Sequence, residues 1–69
     1  MNTGTVKFFN TAKGYGFIAP DNGNPDVFVH ISAVEQAGLL TINEGQKLNF
    51  DIVRDMKSGK NAAANLQAA

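Results

Sequence analysis

Polar and apolar residues alternate most clearly in Lys47-Leu48-Asn49-Phe50-Asp51-Ile52. That period of two is what a strand with one buried face requires. Asp26-Val27-Phe28-Val29-His30 is β-branched and aromatic between Pro25 and Ser32 and predicts another strand, this one apolar on both faces. Thr5 to Asn10 and Tyr15 to Ala19 predict two more, joined by Thr11-Ala12-Lys13-Gly14. Reversals fall at Asp21-Asn22-Gly23-Asn24-Pro25, at Asn43-Glu44-Gly45 and at Lys57-Ser58-Gly59-Lys60. Ser32 followed by Glu35 has capping-box spacing, and Gly38 offers a stop, so a short helical turn is predicted after the third strand. The stretch from Asn61 to Ala69 is in conflict. Its alanines favour helix, but it is too short to hold one unaided, and the pattern assigns it to a last strand with Ala64 and Leu66 of one parity. Short strands at regular spacing predict a small closed barrel, which leaves no exposed edge.

The parity of the second and third strands decides what the barrel presents. In Tyr15-Gly16-Phe17-Ile18 the two rings point one way and Ile18 the other; in Val27-Phe28-Val29-His30 the valines oppose Phe28 and His30. Strand aromatics are ordinarily core residues. Here a complete aliphatic set competes for the interior, so the aromatic set is assigned to the surface.

Length and composition narrow the function. The chain has 69 residues, enough for one domain spanning 1–69. It has no cysteine, which excludes disulfide scaffolds and thiolate metal sites. No apolar run approaches the roughly 20 residues of a membrane span, and Met1-Asn2-Thr3-Gly4 lacks a signal pattern, so a cytoplasmic location is expected. Lys and Arg number 6, as do Asp and Glu, and this balance argues against holding a polyanion by bulk charge alone. The distribution is nevertheless uneven: Lys7 and Lys13 stand without acids in the first segment, the middle is acidic, and Lys57 and Lys60 are basic again.

A face carrying Tyr15, Phe17, Phe28 and His30, with Lys7 and Lys13 nearby, has the chemistry of a single-strand nucleic-acid platform. Flat rings stack on unpaired bases while ammonium groups meet phosphates. Gly14-Tyr15-Gly16 lacks the third glycine of a dinucleotide site. His30 is the sole histidine, and no metal or cofactor site is expected around it. His30 and Ser32 lack an orienting acid, and Asp21 and Asp26 read as residues that cap or solvate a turn. No catalytic constellation remains, so the expectation is a binding protein and not an enzyme. The alternative is a barrel that binds a protein or an oligosaccharide through the same aromatic face.

Three runs resemble the bacterial cold-shock protein family: Gly4-Thr5-Val6-Lys7-Phe8-Phe9-Asn10, Lys13-Gly14-Tyr15-Gly16-Phe17-Ile18, and Asp26-Val27-Phe28-Val29-His30-Ile31-Ser32-Ala33-Val34. The last two are similar to that family's ribonucleoprotein motifs. Glu44-Gly45-Gln46 and Ala63-Ala64-Asn65-Leu66 extend the resemblance over nearly the whole chain.

The resemblance implies an all-β fold, a five-stranded antiparallel OB-type barrel. It implies base stacking by Phe8, Tyr15, Phe17, Phe28 and His30, support from Phe9, and polar or phosphate contacts from Lys7, Asn10, Lys13 and Lys60. The expected partners are single-stranded RNA and single-stranded DNA, bound by a monomer acting as an ATP-independent RNA chaperone in cold-shock or stress-related control of transcription and translation. Three positions depart from the family pattern: Phe8 replaces a usual Trp, Ile31 a usual aromatic, and Leu39 falls near another. Simple alternation would put Phe8 on the side of Val6, so the resemblance also requires a bulge or strong twist near Lys7; without one, Phe9 would be the surface ring.

Overall fold

The computed structural model describes residues 2–54 and 59–69. The elements run β1 (Asn2–Asn10), β2 (Tyr15–Pro20), β3 (Val27–His30), α1 (Ile31–Gln36), β4 (Lys47–Arg54) and β5 (Asn61–Ala68). The strands close into a barrel in the order β1-β2-β3-β5-β4. Of the reversal expected at Lys57-Ser58-Gly59-Lys60, residues 57 and 58 lie outside the described residues.

Four pairings are antiparallel, but β3 and β5 run parallel, bridged at Phe28 and Ala62. The expectation of a wholly antiparallel barrel is corrected here for a geometric reason. Strand direction cannot alternate around a closed ring with an odd number of members, so one neighbouring pair must share direction.

The interior is aliphatic with one ring. Val6, Ile18, Val27, Val29, Val34, Ile42, Leu48, Phe50, Ala63 and Leu66 are buried, and Phe50 is the largest side chain among those fully enclosed. No polar or charged side chain is buried among the described residues. Burial of each larger apolar side chain stabilises the fold by roughly 1.5–3 kcal/mol, which a chain this short needs. Val34 comes from α1, and Ile42 from the segment between α1 and β4.

A register shift between Val6 and Phe8 supplies the bulge that the first strand required: Val6 faces Ile18, Phe8 faces Phe17, and Lys7 is the extra residue. Val6 therefore points inward and Phe8 outward. Phe9 pairs with Gly16 and packs, partly buried, against the core. A Cβ on Gly16 would collide with the Phe8 carbonyl oxygen and lie 2.8 Å from the Phe9 Cα, so only glycine admits β1 this closely.

Two local expectations are revised. In β5, Ala63 and Leu66 face the core while Ala64 is only half-buried, because Asn65 adopts a left-handed conformation (φ 52°) and the β4 register shifts between Asn49 and Asp51. The expected common parity of Ala64 and Leu66 is thereby lost. At α1, the N-cap is His30 and not Ser32, since β3 runs directly into the helix and the cap falls on its last residue. The stop at Gly38 is as expected: its φ is 78°, and the Gly38 and Leu39 amides donate to the Glu35 and Val34 carbonyls at 3.0 and 3.1 Å.

Candidate nucleic-acid interface

The bulge and the β1–β2–β3 register assemble one continuous aromatic surface. Phe8 pairs with Phe17 and Phe17 with Phe28, while Tyr15 pairs with His30 one row away. Ring centroids are 5.7 Å apart for Phe8 and Phe17, 5.8 Å for Phe17 and Phe28, 5.8 Å for Tyr15 and Phe28, and 6.3 Å for Phe28 and His30. Most of these contacts are tilted or edge-to-face, the geometry aromatic quadrupoles favour, and Tyr15 and Phe28 are stacked with an interplanar angle of 20°. Phe8 is 43% exposed and His30 is exposed, while Tyr15, Phe17 and Phe28 are half-buried. Monomeric domains seldom leave so many rings in one open patch without a partner for them.

Phe9 lies apart from this cluster, on the core side of β1. Asn10 shapes the turn between β1 and β2: its side-chain oxygen accepts from the Lys13 amide at 3.0 Å and its carbonyl from the Gly14 amide at 2.8 Å. Gly14, at φ 79°, in turn accepts from the Ile31 amide at 2.8 Å, tying this turn to the start of α1. Lys13 and Lys60 are exposed.

The Lys7 ammonium pairs with the Asp26 carboxylate at 2.9 Å. Asp21 likewise pairs with Lys47 at 2.9 Å, so both acids have charged partners in addition to flanking a turn. The side chain that organises that turn is Asn22, whose oxygen accepts from the Asn24 amide at 3.1 Å. Sequence reading missed both ion pairs, which join residues far apart in the chain. It also missed the contact of Ser32 with the His30 ring, Oγ to Nδ1 at 3.0 Å.

The family model for the "cold-shock" DNA-binding domain matches residues 2–69. This chain belongs to the cold-shock domain family. It is 65% identical to the cold shock protein CspA of Rhizobium meliloti (strain 1021) over 69 residues, covering 100% of both chains. It is 63% identical to the probable cold shock protein y4cH of Sinorhizobium fredii (strain NBRC 101917 / NGR234) over 99% of each. It is 48% identical to the cold shock protein CspC of Bacillus subtilis (strain 168) over 100% of each. Cold-shock domain proteins bind nucleic acid, and in this chain the barrel carries an open aromatic sheet face. Among the described residues no three His, Asp or Glu side chains converge to hold a metal ion, and no helix is long and apolar enough to cross a membrane.

Proposed function

We propose that this cold-shock domain binds single-stranded RNA and single-stranded DNA by stacking unpaired bases on Phe8, Tyr15, Phe17, Phe28 and His30. The observation that carries this reading is the chain of ring contacts running across three adjacent strands, open to solvent. Phe9 supports the platform from the core side. Lys7, Lys13 and Lys60 meet phosphates, and Asn10 holds the β1–β2 turn while offering a polar contact.

Each base–aromatic stack is worth about 1–3 kcal/mol, so four or five give a gross gain of roughly 4–15 kcal/mol before the strand is ordered. Micromolar to nanomolar affinity follows. Three or four neutralised phosphates correspond to a salt slope of about −2 to −3, a minor share of the total. A base lying on these rings is unavailable for pairing within a helix, so binding shifts duplex–single-strand equilibria by mass action and without ATP. That is an RNA-chaperone action, performed by a cytoplasmic monomer in the control of transcription and translation, with no catalysis and no small-molecule cofactor.

Tyr15 is the only tyrosine and the chain has no tryptophan, so its fluorescence reports on the platform directly. Titration with a short oligothymidine, a matched duplex and an oligosaccharide tests the proposal. Quenching by the single strand alone is expected. An equal response to the duplex removes the mechanism, and a response to the oligosaccharide alone favours a saccharide-binding barrel.

A further inference from the structure

The His30 ring receives two protein contacts at one atom. Its Nδ1 accepts from the Ser32 backbone amide at 3.1 Å and lies 3.0 Å from the Ser32 hydroxyl oxygen. A backbone N–H can only donate, so Nδ1 must present its lone pair there. A neutral imidazole carries one hydrogen, which this arrangement sends to Nε2, and the Ser32 hydroxyl shares the single Nδ1 lone pair with the amide as a bifurcated donor. Nε2 has no protein partner among the described residues. The main chain on either side is fixed, His30 by its pairing with Tyr15 and Ile31 by its amide bond to the Gly14 carbonyl at 2.8 Å. What remains free is rotation of the ring, and the Ser32 contacts stop it.

From this geometry we infer that Ser32 is a positioning residue for the platform. It holds His30 as the Nε2–H tautomer, so that the exposed end of the aromatic row offers a directed hydrogen-bond donor as well as a stacking face. The inference rests on the single-strand reading above and adds a chemical preference to it. The nucleotide over His30 is one that brings an acceptor oxygen to Nε2, from a base carbonyl or from a phosphate. The other four rings of the platform distinguish bases poorly, since every base has a π-face. His30 is the one ring in the row that both stacks and donates from a nitrogen.

Nitrogen-15 NMR of the free protein at a pH where His30 is neutral reads the tautomer without any ligand. A single species with hydrogen on Nε2 is expected. Ser32→Ala, which keeps the backbone donor and with it the tautomer, is expected to loosen the ring's orientation and to weaken binding of a heptathymidine by about 2- to 10-fold, the worth of one hydrogen bond. Ser32→Thr, which keeps the hydroxyl, is expected to restore both. Two further probes separate the acceptors: the Ser32→Ala effect vanishes on an oligomer of difluorotoluene nucleotides if the base carbonyl is the partner, and on methylphosphonate linkages if phosphate is. Hydrogen on Nδ1 in the wild type overturns the inference, as does a Ser32→Ala protein with unchanged ring order and affinity. If the wild-type protein binds no oligonucleotide yet shows the Nε2–H ring altered by Ser32→Ala, positioning stands and the single-strand reading falls.

Discussion

Lys7, the unpaired residue of the β1 bulge, lies 2.9 Å from Asp26, the residue just before β3, so the cation next to Phe8 in the chain already has a counter-charge. The two side chains are 55% and 41% exposed, and an exposed pair of this kind contributes only about 0–1 kcal/mol to stability. A phosphate approaching Lys7 competes with the Asp26 carboxylate. Asp26→Asn is therefore expected to leave the melting temperature nearly unchanged, to tighten oligothymidine binding at low salt, and to steepen the salt slope by up to about 0.7. Weaker binding at every salt concentration would show instead that the carboxylate itself contacts the ligand.

Surface rings and the core ring are expected to respond in opposite ways. Phe17→Ala and Phe28→Ala each remove a stacking face and lower single-strand affinity by about 1–3 kcal/mol, with the fold near native stability. Phe50→Ala empties the largest enclosed site in the barrel and destabilises by about 3–5 kcal/mol, a large part of what so small a domain has. Thermal melting beside an oligothymidine titration checks all three. A large fall in melting temperature with intact binding for Phe17→Ala would relocate that ring to the core.

Gly16→Ala tests the close approach of β1 to β2. The added methyl meets the Phe8 carbonyl and the Phe9 Cα, both backbone atoms that cannot step aside. The expected result is a loss of both stability and affinity, because Phe8 is displaced along with its strand. Unchanged melting would mean that the two strands separate freely at this point.

Asn65 separates conformation from contact in β5. Its φ of 52° costs about 1–2 kcal/mol for an ordinary side chain, and its amide donates to Asp51 at 2.9 Å. Asn65→Ala should destabilise by about that amount, and Asn65→Gly by less, since glycine keeps the backbone state and loses only the bond. Chemical denaturation ranks the two, and equal losses would assign the whole effect to the Asp51 contact.

Much of this was readable from the residues because a strand's period of two sorts side chains without knowledge of the partner strand. Ile18, Val27 and Val29 are buried, and Tyr15, Phe17 and Phe28 stand on the other face, as parity requires. The bulge at Lys7 was legible only through the family resemblance, which asked for a bulge or a strong twist there to put Val6 inside and Phe8 outside. What escaped depends on closure. The parallel β3–β5 pairing, the burial of Val34 and Ile42, and the Lys7–Asp26 bridge arise only when distant segments meet. Ser32 was misread as a cap because its spacing to Glu35 mimics one, whereas the acceptor is the histidine before the helix. The turn in β5 parity follows from one left-handed residue, which no alternation pattern announces.

Phe8 and Phe9 are chemically identical neighbours with divided duties, one open to solvent and the other lining the interior, and a one-residue slip in hydrogen-bond register assigns them. Pairing β1 in regular alternation with Lys7 retained would exchange their assignments while leaving every aromatic in the protein, whereas deleting Lys7 would keep them. Within this strand, spacing carries information that amino-acid content does not, and an inventory of rings would miss such a change.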